Sequence, residues 1–449
     1  MFRRFAISVF LVLVGVSAGA RTRPHYGGTL HVEIEGDGLT SPDATVLHLL
    51  LDGLTAVGSQ GDLEPALAES WKSSNNSHRW EFSLRPAVQF HDGTPLTADR
   101  VVASLNLACN GDCPWTTVHA VGQSVVFVGD SPMPNLPWLL ALNQFLISLP
   151  DTGEAKQLPR SIGTGPFQLV AQKPSQFTFA ANESYWGGRP YADQVEVLAN
   201  RSIRDQWLDL SVGRADIVEV PPQDLRQAQQ QRLSVLVSQP VELVVLEVSD
   251  SGALANPVLR ASIAQAVDRS ALFNVIFEKQ GEVTASLLPQ SVTGYSFLFP
   301  TDRDVKEANE LRGGLTPPQV TMMAEGDGTM QLASQRIALN LHEAGFTVQT
   351  LKPRSVPRSN LLLRKLPLED GDAFAALEIL LRSAGENVSV PAGDPNALYR
   401  AEQNVLDLKT LIPLLDLPRA CAVGSRAHSV TLRSDGLPDL TRVSLEGTQ

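Results

Sequence analysis

Few residues in this chain of 449 have both the type and the spacing that chemistry needs. Cys109 and Cys113 bracket the short run CNGDC, and Cys421 lies far away in sequence. In an oxidising compartment such a pair closes a small disulfide loop; as a metal site it is half of a zinc set at best. A local disulfide or plain thiols remain as readings, and no metal is expected. Gly163-Thr164-Gly165-Pro166-Phe167 is rich enough in glycine to cradle a phosphate on backbone amides. No lysine or Ser/Thr pair follows it, however, and Phe167 begins a strand rather than a helix, so it reads as a tight turn. Tyr185, Trp186 and Tyr191 cluster as a sugar platform would. The eight histidines are scattered, and His91 sits in a turn with no partner in view for general-base work. No G-x-S-x-G elbow or G-x-G-x-x-G loop stands at a strand-to-helix junction, and neither H-E-x-x-H nor a phosphate loop ending in G-K-S/T occurs. An enzyme is not expected, nor is a cofactor.

The elements that must carry these residues are clearest over 80–102. Trp80, Phe82 and Leu84 alternate with Glu81, Ser83 and Arg85, the period of a half-buried strand. His91-Asp92-Gly93-Thr94-Pro95 supplies a reversal, and Thr97 then caps a helix with Asp99 in its first turn and Val101, Val102, Leu105 and Ala108 at helical spacing. Further on, PVELVVLEV reads as an apolar strand, and Asn256-Pro257 opens a helix. Residues 319–323, 332–344 and 346–351 read as one βαβ unit, which implies a parallel strand pair. Asp394-Pro395 caps a helix reaching about Leu408.

Length and 43% hydrophobic content call for two or three domains, and the net charge of -12 argues against nucleic acid or an anionic membrane as partner. Residues 1–20 read as a cleavable signal peptide: Arg3 and Arg4, an apolar run shorter than the ~20 residues of a spanning helix, then Ala18-Gly19-Ala20. Cleavage takes the formal charge from -12 to -14 by removing Arg3 and Arg4. With no cysteine before Cys109, an N-terminal lipid anchor is not expected, and the mature chain is placed free in the periplasm.

Segments 62–71, 80–102, 163–167, 182–190, 213–217 and 249–273, in that order, are similar to signature stretches of the family 5 bacterial extracellular solute-binding proteins, the dipeptide and oligopeptide receptors of ABC importers. The resemblance is good over 27–300 and holds in outline over 319–445. It implies an α/β fold of two lobes, the type II periplasmic binding-protein fold, with mixed sheets flanked by helices and a two-stranded hinge near 248–252 and 412–415. The implied domains are lobe I at 21–248 with an inserted subdomain at about 45–158, lobe II at 249–417, and a return to lobe I at 418–449. In the family the aromatic turn at 185–191 is structural, which displaces the sugar-platform reading.

By the same resemblance the function is that of a periplasmic substrate-binding protein. It would be a monomer that closes over a peptide or other small solute and delivers it to ABC transporter permease subunits, with no nucleic acid involved. Ligand contacts are implied around 43–46, at Ala44 and Thr45; around 219–221, at Val220 and Pro221; and on the hinge strand at Leu246 and Glu247. The chain departs from the family at 360–390, where an aromatic and acidic ligand-facing segment is replaced by Ala375-Ala376-Leu377-Glu378-Ile379-Leu380-Leu381, and no tryptophan follows Trp207. A secreted, non-transport interaction or sensory module that keeps the fold is therefore the alternative.

Overall fold

The computed structural model describes residues 26–36, 44–109, 113–150, 161–295, 301–326, 328–351, 359–368, 371–386, 390 and 393–446. The expected signal peptide and Asp43 lie outside these. The chain opens with β1 (Thr29–Glu33) and α1 (Ala44–Leu50). An inserted unit follows: β2 (Ala68–Ser74), β3 (Arg79–Leu84), α2 (Ala98–Cys109), β4 (Thr117–Val121), β5 (Ser124–Val128) and the short α3 (Leu136–Leu139). Its four strands pair in the order β2-β3-β5-β4. The alternation read at 80–84 is what fills its core, because Trp80, Phe82 and Leu84 all turn inward against Phe127, Val101 and Leu105. Thr97 Oγ1 accepts from the Arg100 amide at 3.4 Å at the start of α2. Cys109 and Cys113 form a disulfide with their Cα atoms 5.3 Å apart.

The main sheet then gathers β6 (Phe167–Lys173), β7 (Gln176–Ala181), β8 (Gln194–Leu198) and, after α4 (Ile203–Ser211), β9 (Ile217–Glu219). The long β10 (Ser234–Val248) leaves this lobe for the second. There the chain forms α5 (Pro257–Ala266), β11 (Gln319–Ala324), α6 (Gly328–Glu343) and β12 (Thr347–Thr350), followed by β13 (Leu361–Pro367), α7 (Ala373–Ser383) and α8 (Pro395–Leu408). The long β14 (Leu411–Val423) returns. β11 and β12 are parallel, as the βαβ pattern requires. One sheet runs through both lobes in the order β12-β11-β13-β10-β14-β9-β1-β8-β7-β6, with the short strand Glu282–Val283 added against β14.

Among the described residues, β10 and β14 are the two strands in that order shared by both halves of the sheet. Residues 234–237 pair with 420–423 beside β9, whereas 242–248 pair with β13 and 242–247 with 411–417. Between these two stretches Pro240 faces Pro418, with a register shift on either side. Neither proline has an N–H to give, so the ladder is interrupted where the strands pass from one lobe to the other. Val244, Leu246 and Val248 are buried in the second lobe's core. The crossing therefore lies near Pro240, ahead of the boundary at Val248 read from the sequence, because an apolar run shows that a strand is buried but not in which core. After β14 the tail packs back on the first lobe, with Ala427, Leu440, Val443 and Leu445 in its core.

Two sequence blocks far apart in the chain meet in the first lobe. His91 Nε2 lies 3.0 Å from the Gly165 carbonyl, and the Gly163 amide donates to Nδ1 at 3.3 Å. Both ring nitrogens are occupied and burial lowers the pKa, so His91 is a neutral tie and not a base. A Cβ at Gly163 would stand 2.2 Å from the Leu50 carbonyl oxygen, which is why this turn is glycine: it clasps the end of α1.

Candidate functional site

A cavity of about 270 Å³ opens at the crossing, between the lobes. The first lobe gives it the end of β1 with Glu33 and Glu35, the start of α1 with Ala44 and Thr45, and the end of β9 with Glu219, Val220 and Pro221. Glu242 of β10, Lys365 of β13 and Arg419 of β14 complete it. Strand ends make such a site because side chains there project past the last ladder bonds into the gap between sheets.

The carboxylates are held in different ways. Glu219 accepts from the Glu35 amide at 2.6 Å and from Gln206 Nε2 at 3.2 Å, while its own amide donates to Gln206 Oε1 at 2.9 Å. Glu33 is almost wholly buried; burial pushes its pKa up, and Arg201 at 3.4 Å works against that. Glu242 is also buried, but Lys365 Nζ at 2.9 Å and Arg419 Nη2 at 3.0 Å more than offset burial, so its pKa falls and it stays charged. Four carboxylates and two cations thus line one small space, a polar chamber with an excess of negative charge.

Of the residues read from the sequence, Ala44, Thr45, Val220 and Pro221 come together around this cavity. Leu246 and Glu247 do not. Leu246 is fully buried in the second lobe's core, and Glu247 accepts from Arg364 Nε at 2.6 Å, away from the cavity. The physical reason is the position of the crossing: the β10 residue that reaches the chamber is Glu242, five positions earlier. Its signal in the sequence is an acid in the apolar run 240–248, which demands a cation, but Glu247 carries the same signal; Lys365 and Arg419, more than a hundred residues away, could not be paired with Glu242 by spacing.

A second cavity of about 390 Å³ lies along the same crevice. α1 runs from one to the other, since Thr45 faces the first and His48 the second; residues 433–438 do the same from the tail. Pro367 and Ser383 bring the second lobe to it. Its charged group is a compact trio: His48 Nε2 is 3.3 Å from Asp435 Oδ2 and 3.3 Å from Arg433 Nη2. Burial and then Arg433 lower the histidine's pKa, while Asp435, buried beside both, is held well below the usual carboxylate range. Asp52 on the same wall accepts from Thr164 Oγ1 at 2.8 Å, Trp186 Nε1 at 2.9 Å and Tyr185 Oη at 3.1 Å. Tyr185 and Trp186 are therefore ties to a buried acid, and they line this cavity rather than the outside of the lobe. Among the described residues no group of three or more His, Cys, Asp or Glu is placed to hold a metal, and no helix is long and apolar enough to cross a membrane.

A profile of the bacterial extracellular solute-binding proteins, family 5 middle region, matches residues 62–359. The chain belongs to that family. Among curated proteins it is 36% identical over 157 residues to the HTH-type transcriptional regulator SgrR of Pectobacterium atrosepticum, covering 33% of this chain and 28% of that one. It is 29% identical over 254 residues to the probable D,D-dipeptide-binding periplasmic protein DdpA of Escherichia coli K12, covering 52% of this chain and 49% of that one. The chain thus spans half or less of the length of these relatives. Among solved structures, NikA of Staphylococcus aureus in complex with Ni(L-His)2 superposes with a TM-score of 0.79 at 16% identity, covering 93% of this chain and all of that one. DppA of Helicobacter pylori in complex with the peptide STSA gives 0.78 at 17%, covering 94% and 99%. At such identities the likeness is one of fold: this family 5 member has the two-lobed type II periplasmic binding-protein architecture expected from its sequence.

Proposed function

We propose that this family 5 member is the periplasmic substrate-binding protein of an ABC importer. It takes a peptide or peptide-like small solute into the crevice and delivers it to membrane permease subunits. The observation that carries this reading is the chamber at the crossing strands. Glu35 and Glu219 on the first lobe's wall offer oxygens to an amine, while Lys365 and Arg419 opposite offer donors to a carboxylate. A zwitterion of a few residues matches both walls and the small volume. The facing prolines at 240 and 418 make a natural pivot, and a ligand touching both walls favours the closed arrangement by its differential affinity for it. The exported, anchor-free, monomeric state read from the sequence belongs to the same proposal.

The test is to purify residues 21–449 from a periplasmic extract, denature the protein and identify the released small molecules by mass spectrometry, then to screen dipeptides for a raised melting temperature. A dipeptide at 100 times its dissociation constant adds about 2.7 kcal/mol. No released solute and no shift with any dipeptide would overturn the proposal. The match to a transcriptional regulator favours one second reading, that of a sensory module whose crevice reports a ligand without delivering it. Solute capture that persists when every neighbouring permease is absent, with no uptake defect on deletion, would select it.

A further inference from the structure

The second lobe also touches the inserted unit, and the chemistry of that contact is unusual. Asn135 stands at the N-cap of α3, where an asparagine side chain ordinarily accepts from the first-turn amides, yet it makes no capping bond. Its amide nitrogen instead donates to Glu378 Oε2 at 2.8 Å. Glu378 is on α7, whose Leu377, Leu380 and Leu381 are in the second lobe's core, whereas Leu136 beside Asn135 is in the core of the inserted sheet. Both polar partners are 4% exposed. Arg382, one turn further along α7, sits 3.4 Å from the other carboxylate oxygen.

The backbone around this bond is equally close. A Cβ on Gly371, just ahead of α7, would lie 2.1 Å from the Gly61 carbonyl oxygen and 2.9 Å from the Trp138 ring, at a φ of +116°. Only glycine lets the two surfaces lie flush there. The two lobes, joined through β10 and β14, thus meet again at a buried hydrogen bond from an amide to a carboxylate, and that bond exists only while they are together.

We propose that Asn135 and Glu378 form a latch that sets ligand affinity without touching ligand. The bond favours the touching arrangement over the separated one, because it is a hydrogen bond from an amide to a carboxylate in a site screened from water and it is lost on separation, which outweighs the helix cap that Asn135 regains when released. Apparent affinity scales with the fraction of molecules already in the competent arrangement, so the latch raises affinity at the crevice from outside it. This rests on the crevice being the ligand site, but the latch itself is tested without any ligand.

Small-angle X-ray scattering on protein stripped of small molecules by unfolding and refolding gives the test. Asn135→Asp sets two carboxylates face to face and should enlarge the radius of gyration, with the far-ultraviolet circular dichroism unchanged. The exchanged pair Asn135→Asp with Glu378→Gln restores the hydrogen bond with donor and acceptor reversed, and should return the wild-type radius. If Asn135→Asp does not fold, Asn135→Ala is measured in its place and should also enlarge the radius. A folded single variant with the wild-type radius overturns the latch, as does an exchanged pair that stays as open as the single variant. An opened variant in a protein that never yields a solute would instead count against the ligand reading and leave the latch standing.

Discussion

Two carboxylates on the same pair of crossing strands have opposite fates. Glu242 of β10 faces the chamber at the first lobe's edge, and Asp416 of β14 is buried on the second lobe's side, beside Leu243 and the short strand Glu282–Val283. Both are shielded from water. Glu242 has Lys365 and Arg419 and remains ionised; for Asp416, burial, with Glu282 adding to it, pushes the pKa up to about 8, Thr284 being the one hydrogen bond that opposes this, and one carboxylate oxygen has no partner. The lesson of this pair is that burial alone does not set a carboxylate's charge: two cations within reach of Glu242 outweigh it, and no such offset acts on Asp416. The polar end of the strand pair is charged and fit to meet a zwitterion, while the other end is a neutral acid at pH 7.

That contrast can be broken from either side. The largest effect is expected for Glu242→Leu, which leaves Lys365 and Arg419 facing each other without a counter-charge. Because both cations still reach water, the loss of stability in urea denaturation at pH 7 should be about 2–3 kcal/mol. In the wild type the same carboxylate, with a depressed pKa, contributes stability above the unfolded value near 4.5 and loses it as the pH falls through the folded one.

Asp416→Asn should act in the reverse sense. With the folded pKa raised to about 8, the unfolded chain binds fewer protons across the interval, so the wild type loses stability as the pH rises from about 4 to about 8 and is level beyond. The amide removes that slope. Urea denaturation compared at pH 5 and pH 8.5 should show the variant holding its stability over the interval in which the wild type falls; equal slopes would show that Asp416 is ionised after all. The smallest change is expected for Lys365→Met, which leaves Arg419 on Glu242 and should cost about 1 kcal/mol in the same assay. It should also weaken any dipeptide found by the melting screen, sharpening the distinction between the charge that holds the site and the charge that reads the ligand.

How much of this was legible in the sequence depends on the range of the interaction. The strand at 79–84 and its helix, the Asn256 and Asp394 caps and the βαβ unit are local: alternation, cap residues and turn glycines act within a few positions, and the structure places them where the pattern does. The grouping of Ala44, Thr45, Val220 and Pro221 came from resemblance, not from anything local. Leu246 and Glu247 show the limit, since the same apolar run satisfies a strand crossing at Pro240 or at Val248 equally well.

The sequence by itself determined the elements, the order of the signature blocks and hence the family, because these rest on short-range periodicity and on stretches a profile can match. Only the tertiary structure decided which strand end faces the crevice, that Lys365 and Arg419 neutralise Glu242 while Asp416 has no such cation among the described residues, and that Asn135 gives up its helix cap for Glu378. Each of these is a meeting of residues more than a hundred positions apart. Such a meeting depends on where the strands cross and how the lobes lie against each other, and no local pattern of residue types encodes either.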